Sequence, residues 1–272
     1  MVRTAIAALC LLAAAPALAQ APSPLRHCLD PKARPAGAAE ACRQALDRGG
    51  LSAREQAAAW TNMGVALTEL DRDGDALAAF DRAVAADPRF AAAYVNRALT
   101  RGRRGMEAEA LADWNAALRL APADWESRLG RAALLIRMGR PSEALADLEA
   151  ATTVAPREPD LHYTRGLALA ALGRVPAARA AFDMALRLDP SDAGAHLERG
   201  RLLAATDPAA ALADHDAAIR LAPEWAEAHF SRGRLNDALG RSDAAVRDYR
   251  RAFELGLQDP WLNRRIEELQ RG

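Results

Sequence analysis

Residues 57–90 read AAAWTNMGVALTELDRDGDALAAFDRAVAADPRF, and residues 159–192 read PDLHYTRGLALAALGRVPAARAAFDMALRLDPSD. The two stretches share a spacing more than an identity. Each has a small residue early (Gly64, Gly166), a second midway (Ala76, Ala178), then a bulky ring (Phe80, Phe182). A third small residue (Ala83, Ala185) and a proline (Pro88, Pro190) follow. The same offsets recur along most of the chain. Prolines stand at Pro88, Pro122, Pro156 and Pro190, 34 residues apart, and at Pro223, 33 further on. The early small position is also held by Ala98, Ala132, Gly200 and Gly233, and the bulky one by Trp114, Leu148, His215 and Tyr249. Six units follow, 57–90, 91–124, 125–158, 159–192, 193–225 and 226–259. The fifth is a residue short near Thr206–Pro208, and the sixth has Leu257 where the proline is due, with Pro260 three later.

Each unit reads as two helices around a turn, marked by Asp73-Gly74, Arg104-Gly105 or Gly139-Arg140-Pro141. Ser142 and Ser242 have the chemistry of N-caps for second helices. Small residues fall where antiparallel helices must approach closely, bulky ones fill the space between them, and proline ends the second helix because it cannot extend the hydrogen-bond ladder. One such pair cannot bury its apolar face alone, so the units must stack into a solenoid. An arginine precedes the early small position at Arg97, Arg131, Arg165, Arg199 and Arg232, and an aspartate precedes the bulky one at Asp113, Asp147, Asp214 and Asp248. Antiparallel pairing predicts four ion pairs within repeats, with Arg165 facing Ala181 and left alone.

On these residues the chain resembles the tetratricopeptide repeat family, whose 34-residue pattern runs aromatic, small, Ala, aromatic, Ala, Pro. The resemblance covers about three quarters of the chain, Ala57 to about Asp259. It implies an all-α, right-handed α–α solenoid of stacked helix-turn-helix repeats. It also implies a concave groove lined by the first helices, in which a peptide or helix of another protein binds. Carried onto this chain, the groove positions are Thr61, Val95, Leu129, Tyr163, Leu197 and Phe230, then Val65, Leu99, Ala133, Leu167, Arg201 and Arg234 one turn on. Asn62 and Asn96 stand beside them as peptide-backbone partners. Each of these positions has the alternative of packing between neighbouring repeats. The lysine and asparagine of the family's chaperone-type carboxylate clamp are replaced by Thr61 and Val65.

The ends read differently. Residues 1–19 have Arg3, an apolar run and a small-x-small site at Ala17-Leu18-Ala19, and read as a cleavable signal peptide directing the chain to the periplasm or beyond the cell. After cleavage no membrane insertion is expected. Two cysteines then remain, Cys28 and Cys42, which in an oxidising compartment are most simply a disulfide, two unconnected thiols being the alternative. Residues 20–37 are proline-rich and expected to be irregular, 38–56 read as a degenerate half-repeat, and 260–272 as a capping helix carrying Trp261, Leu262, Ile266 and Leu269.

Chemistry is sparse. Lys plus Arg and Asp plus Glu are 36 each, so nothing favours nucleic acid as a partner. No nucleophile elbow, phosphate-binding glycine loop or Cys/His metal spacing occurs. His162, His196 and His229 share one offset, held by Trp60 and Tyr94 in the first two units. Equivalent positions on stacked helices lie at least ~8–10 Å apart, whereas zinc needs imidazole nitrogens at ~2 Å. The expectation is no metal, no cofactor and no enzyme, and instead a protein-interaction scaffold or adaptor. The alternative is an accessory or regulatory subunit of an envelope enzyme or assembly complex. The sequence carries no marker of oligomeric state.

Overall fold

The computed structural model describes residues 23–30 and 32–271, so the expected signal peptide lies outside the described residues. Among them are fifteen helices and no strand. In chain order they are α1 (Ser23–Cys28), α2 (Pro35–Arg48), α3 (Ala53–Glu69), α4 (Asp73–Ala86), α5 (Ala91–Arg103), α6 (Glu107–Leu120), α7 (Trp125–Arg137) and α8 (Pro141–Val154). Then come α9 (Pro159–Ala171), α10 (Val175–Leu188), α11 (Ala193–Leu203), α12 (Pro208–Leu221), α13 (Ala226–Ala238), α14 (Ser242–Glu254) and α15 (Pro260–Arg271). They form two compact units divided between Gly139 and Arg140, inside the third repeat. Within each unit consecutive helices pack in pairs, and the first helix of one repeat also touches the first helix of the next. This is the packing of a repeat solenoid.

The small-to-large matching deciphered from the sequence is literal. A Cβ placed on Gly64 would stand 2.4 Å from Phe80, on Gly166 2.5 Å from Phe182, and on Gly200 2.7 Å from His215. Where the early position is Ala98, the ring goes elsewhere: Trp114 fills the hollow over Gly130, on the first helix of the following repeat. Ala76, Ala83, Ala110, Ala178 and Ala185 are fully buried in these seams.

Turn and cap chemistry differs in detail. Asp73 and Gly74 lie inside α4, and the left-handed turn residue is Asp71 (φ 58°), in the place where later repeats use Gly105, Gly139, Gly173 and Gly240. A short polar side chain tolerates that region where larger ones do not. Ser142 and Ser242 are not N-caps, because both already lie within α8 and α14; Arg140 and Arg241 hold the N-cap positions and make no side-chain cap bond. Side-chain caps sit at Ser52, whose hydroxyl and Glu55 form a reciprocal capping box, and at Asp124, Asp192 and Asp207.

Arg97 holds Asp113 through two bonds of 2.9 and 2.6 Å, Arg199 holds Asp214 at 2.8 and 2.6 Å, and Arg232 holds Asp248 at 3.0 and 2.6 Å. Each arginine does more than pair within its repeat. Its third nitrogen reaches an aspartate on the second helix of the preceding repeat: Asp81 at 2.7 Å, Asp183 at 2.7 Å and Asp216 at 2.6 Å. In the third repeat Arg131 finds Asn115 in that place, at 2.7 Å. A guanidinium with five donors in a fixed fork suits this bridging, which ties register within a repeat to stacking between repeats. Arg165 faces Ala181 where the within-repeat aspartate stands elsewhere, and its Nε is buried without a hydrogen-bond partner. Burial and the Arg199 guanidinium oppose each other on Asp214, and the net effect holds its carboxyl below the usual range.

The N-terminal end departs from expectation. Residues 20–37 are not irregular throughout, since Ser23–Cys28 is helical and α2 begins at Pro35. Proline is tolerated in a first helical turn, where its missing N–H costs nothing, and Leu25 and Cys28 share a buried face. Cys28 lies 34 residues before Asn62 and Cys42 34 before Ala76, so α1 and α2 are the two helices of a further, truncated repeat. A disulfide joins Cys28 to Cys42, holding a first helix of six residues that could not persist alone. At the other end, α15 buries Leu262 against Ala245 and Tyr249, with Ile266 and Leu269 half-buried beside it.

Candidate functional site

In the first unit the first-helix face is largely committed to the chain itself. Thr61 is fully buried and its hydroxyl donates to the Ala57 carbonyl at 2.7 Å. Asn62 donates to the Cys28 carbonyl at 3.1 Å, which docks α1 against α3. The Asn96 amide donates to Ala92 O, one turn back on its own helix, at 2.8 Å. Val95 packs in the Trp114 cluster and Leu129 is buried. Val65, Leu99 and Ala133, one turn on, remain half-buried.

The second unit keeps more in reserve. Leu197 is fully buried against Ala218 and Ala228, and Leu167 is half-buried. Tyr163 packs its ring 6.1 Å from that of Phe182 and leans on Ala185, Leu186 and Ala195. Burial, with the Glu198 and Asp192 carboxylates nearby, pushes its hydroxyl up to about 12, so it stays protonated. Arg201 is exposed, with Glu198 at 2.8 Å and the Ser231 hydroxyl of the next repeat at 3.0 Å. Phe230 is half-buried between Tyr249 and Trp261, with ring centroids at 5.9 and 6.1 Å. Arg234 is exposed one turn further along α13, close enough to Tyr249 to act on its hydroxyl electrostatically. Trp261, read in the sequence as part of a capping helix, stands beside Phe230; its only signal is an aromatic residue at the second position of that helix.

The three aligned histidines share a role that the sequence did not disclose. The Nε2 atoms of His162, His196 and His229 sit 2.9, 3.2 and 3.0 Å from the carbonyls of Pro156, Pro190 and Pro223, each six residues back. Tyr94 and Arg128 donate to Pro88 O and Pro122 O from the same offset, at 3.2 and 2.8 Å. Hydroxyl, guanidinium and imidazole therefore do one job: they satisfy a carbonyl at the turn between repeats, where no helix supplies a donor. His196 also meets Asp214 at 2.9 Å through Nδ1. Among the described residues no group of three or more His, Cys, Asp or Glu is arranged to hold a metal ion, and no helix is long and apolar enough to cross a membrane.

The tetratricopeptide repeat family profile matches residues 32–89, 129–193 and 195–260, more than half of the chain. The chain belongs to the tetratricopeptide repeat family. Proteins of this family are in general non-catalytic repeat scaffolds that bind other proteins. Among solved structures, a tetratricopeptide repeat protein from Parabacteroides merdae superposes with a TM-score of 0.69 at 19% identity, covering 87% of this chain and 92% of that one. YrrB, described as a TPR protein with an unusual peptide-binding site, matches at 25% identity and TM-score 0.57, over 70% of this chain and 96% of its own. PilW, a type IV pilus biogenesis factor, gives a TM-score of 0.71 at 19% identity over 76% and 97% of the two chains. No curated protein matches the chain in sequence.

Proposed function

We propose that this protein is a non-catalytic scaffold or adaptor that works outside the cytoplasm and binds a peptide or helix of another protein on its first-helix face. One observation carries the reading. Along the second unit Tyr163, Leu167, Arg201 and Arg234 share the first-helix face and retain accessible surface, while the arginine ladder and the aligned histidines are spent on the fold itself. Aromatic residues and arginines are the types that dominate binding hot spots. The similarity to YrrB, at 25% identity, points the same way. Residues 1–19 support export, and with it an envelope partner.

The test begins with crosslinking and capture of the partner from exporting cells, with the N-terminus of the exported chain sequenced. The captured partner is then titrated against Tyr163→Ala and against the double variant Arg201→Glu, Arg234→Glu, at low and high salt. Tyr163→Ala weakens binding at every salt concentration; the double variant weakens it and flattens its salt dependence. Wild-type affinity in all variants would mean that the partner uses another face. Co-purification with an envelope enzyme or assembly machine would select the accessory-subunit form of this reading.

A further inference from the structure

The terminal helix does something that a cap has no need to do. Covering the last repeat requires an apolar side facing inward, which Leu262, Ile266 and Leu269 provide. Trp261 goes beyond this. Its ring stands edge-on to both Phe230 (6.1 Å, 87°) and Tyr249 (5.7 Å, 83°), yet the residue remains 39% exposed. The helix that carries it is fixed rather than loosely laid on. Arg265 grips both oxygens of Asp237 at 2.8 Å each, and the Tyr249 hydroxyl donates to the same carboxylate at 3.2 Å. The indole is thus a rigid, half-exposed apolar platform continuous with Phe230.

Charge beside this platform is unbalanced in one sense. Arg232 and Arg265 each hold two carboxylates, Asp248 and Asp216 for the first, Asp237 and Glu268 for the second. Arg234, one helical turn from Phe230 on the same face, is exposed and holds none among the described residues. Arg201, one repeat earlier at the same offset, has Glu198 alone. Resting on the reading that the first-helix face binds a partner, we infer that Phe230, Trp261 and Arg234 form its terminal subsite, and that it takes an acidic peptide segment with an aromatic or leucine side chain beside its carboxylate. The apolar side chain lies on the indole and Phe230, and the carboxylate accepts hydrogen bonds from the Arg234 guanidinium, a charge-assisted pairing. The terminal helix is then part of the binding surface.

The probes are short synthetic peptides with one Phe or Leu flanked by Glu, and counterparts with Lys for Glu. The protein is labelled with 5-fluorotryptophan, and its five indole resonances are followed by fluorine NMR, Trp261 being assigned with Trp261→Phe. The Glu peptides shift the Trp261 resonance and leave that of buried Trp114 in place. Trp261→Ala and Arg234→Glu each weaken binding by about tenfold, as expected for hot-spot residues. Arg234→Glu also reverses the preference toward the Lys peptides. Trp261→Ala could act by loosening the terminal helix, but Arg234 projects into solvent, so its variant reads binding alone. No binding of any peptide, an unmoved Trp261 resonance at saturation, or equal affinity for Glu and Lys peptides overturns the subsite. A captured partner that depends on Tyr163 and Arg201 but ignores Trp261→Ala and Arg234→Glu would discard this subsite and keep the groove reading. Indifference to all four substitutions would discard both.

Discussion

His215→Phe should make the second unit markedly more tolerant of mild acid. His215 occupies the bulky position of the fifth repeat, where other repeats carry Phe80, Trp114, Leu148, Phe182 and Tyr249. It is almost fully buried over Gly200, and its Nδ1 has no hydrogen-bond partner. Burial, and then the Arg201 guanidinium, lower its pKa from 6.5 to about 4 against the opposing pull of Asp214, with Arg232 and Asp216 acting less and in opposite senses. The unfolded chain therefore takes up a proton near pH 6.5 that the folded chain refuses until about pH 4. The stability that the neutral ring carries is complete above pH 6.5 and is lost as pH falls through that window. At pH 4.5 the linkage amounts to roughly 2.5 kcal/mol. Phenylalanine cannot protonate, and the hollow admits it, because Phe80 and Phe182 fill the equivalent hollows over Gly64 and Gly166 at nearly the same distances. Urea unfolding of both proteins, followed by circular dichroism at intervals from pH 7.5 to 4.5, isolates the term, since every other titrating group is common to both. The variant should match or exceed wild type at pH 7.5, and the gap should widen steadily below pH 6.5. Two midpoint curves that stay parallel across the window would refute the argument that His215 is held neutral.

Three further outcomes follow from the packing and the ladder. Asp113 is 3% exposed and accepts from Arg97 and from Arg101, so Asp113→Ala should cost about 2 kcal/mol by removing charge-assisted bonds to two half-buried guanidinium groups and leaving Arg97 with Asp81 alone, whereas exposed Asp81→Ala should cost under about 1; equal losses in urea midpoint would contradict the bridging geometry. Ala181→Asp supplies Arg165 with the carboxylate that Asp113, Asp214 and Asp248 supply elsewhere, and should raise stability by about 1 kcal/mol, read as a higher urea midpoint. The Cys28–Cys42 bond closes a loop of about fifteen residues, so reducing it should cost about 3 kcal/mol, confined to the N-terminal end, with amide exchange rising in α1 and α2 and unchanged beyond α4.

The repeat itself was legible because it is a packing code: a small residue must stand wherever a ring from sixteen residues away arrives, and the spacing of Gly64 to Phe80 or Gly166 to Phe182 states that arrival in the sequence. The ion pairs were half legible for a related reason. Arg97 and Asp113 lie on antiparallel helices of one repeat, so a single pair of offsets places them together. Asp81 belongs to the preceding repeat, and its meeting with Arg97 depends on how repeats stack, which no offset within one unit reports. The truncated repeat at the N-terminus was hidden because its first helix is too short to show a period; it was signalled instead by Cys28 and Cys42 falling one repeat length before Asn62 and Ala76.

The first-helix face is where offsets mislead most, and the reason is geometric. Residues four apart on one face of a first helix need not share a fate, because what each meets depends on the neighbouring helices. Leu197 is fully buried while Arg201 is exposed. Phe230 and Arg234 repeat that separation in milder form, because Phe230 packs between Tyr249 and Trp261 and keeps part of its ring surface free. What no single offset encodes is which neighbour each of these residues meets. At the offset where Thr61, Val95, Leu129 and Leu197 are buried, Tyr163 and Phe230 keep part of their surface, and the ring of Trp261 on the capping helix stands beside that of Phe230. In the subsite proposed above, Phe230 and Trp261 would thus serve two demands at once, covering the buried Tyr249 ring and offering apolar surface beside it.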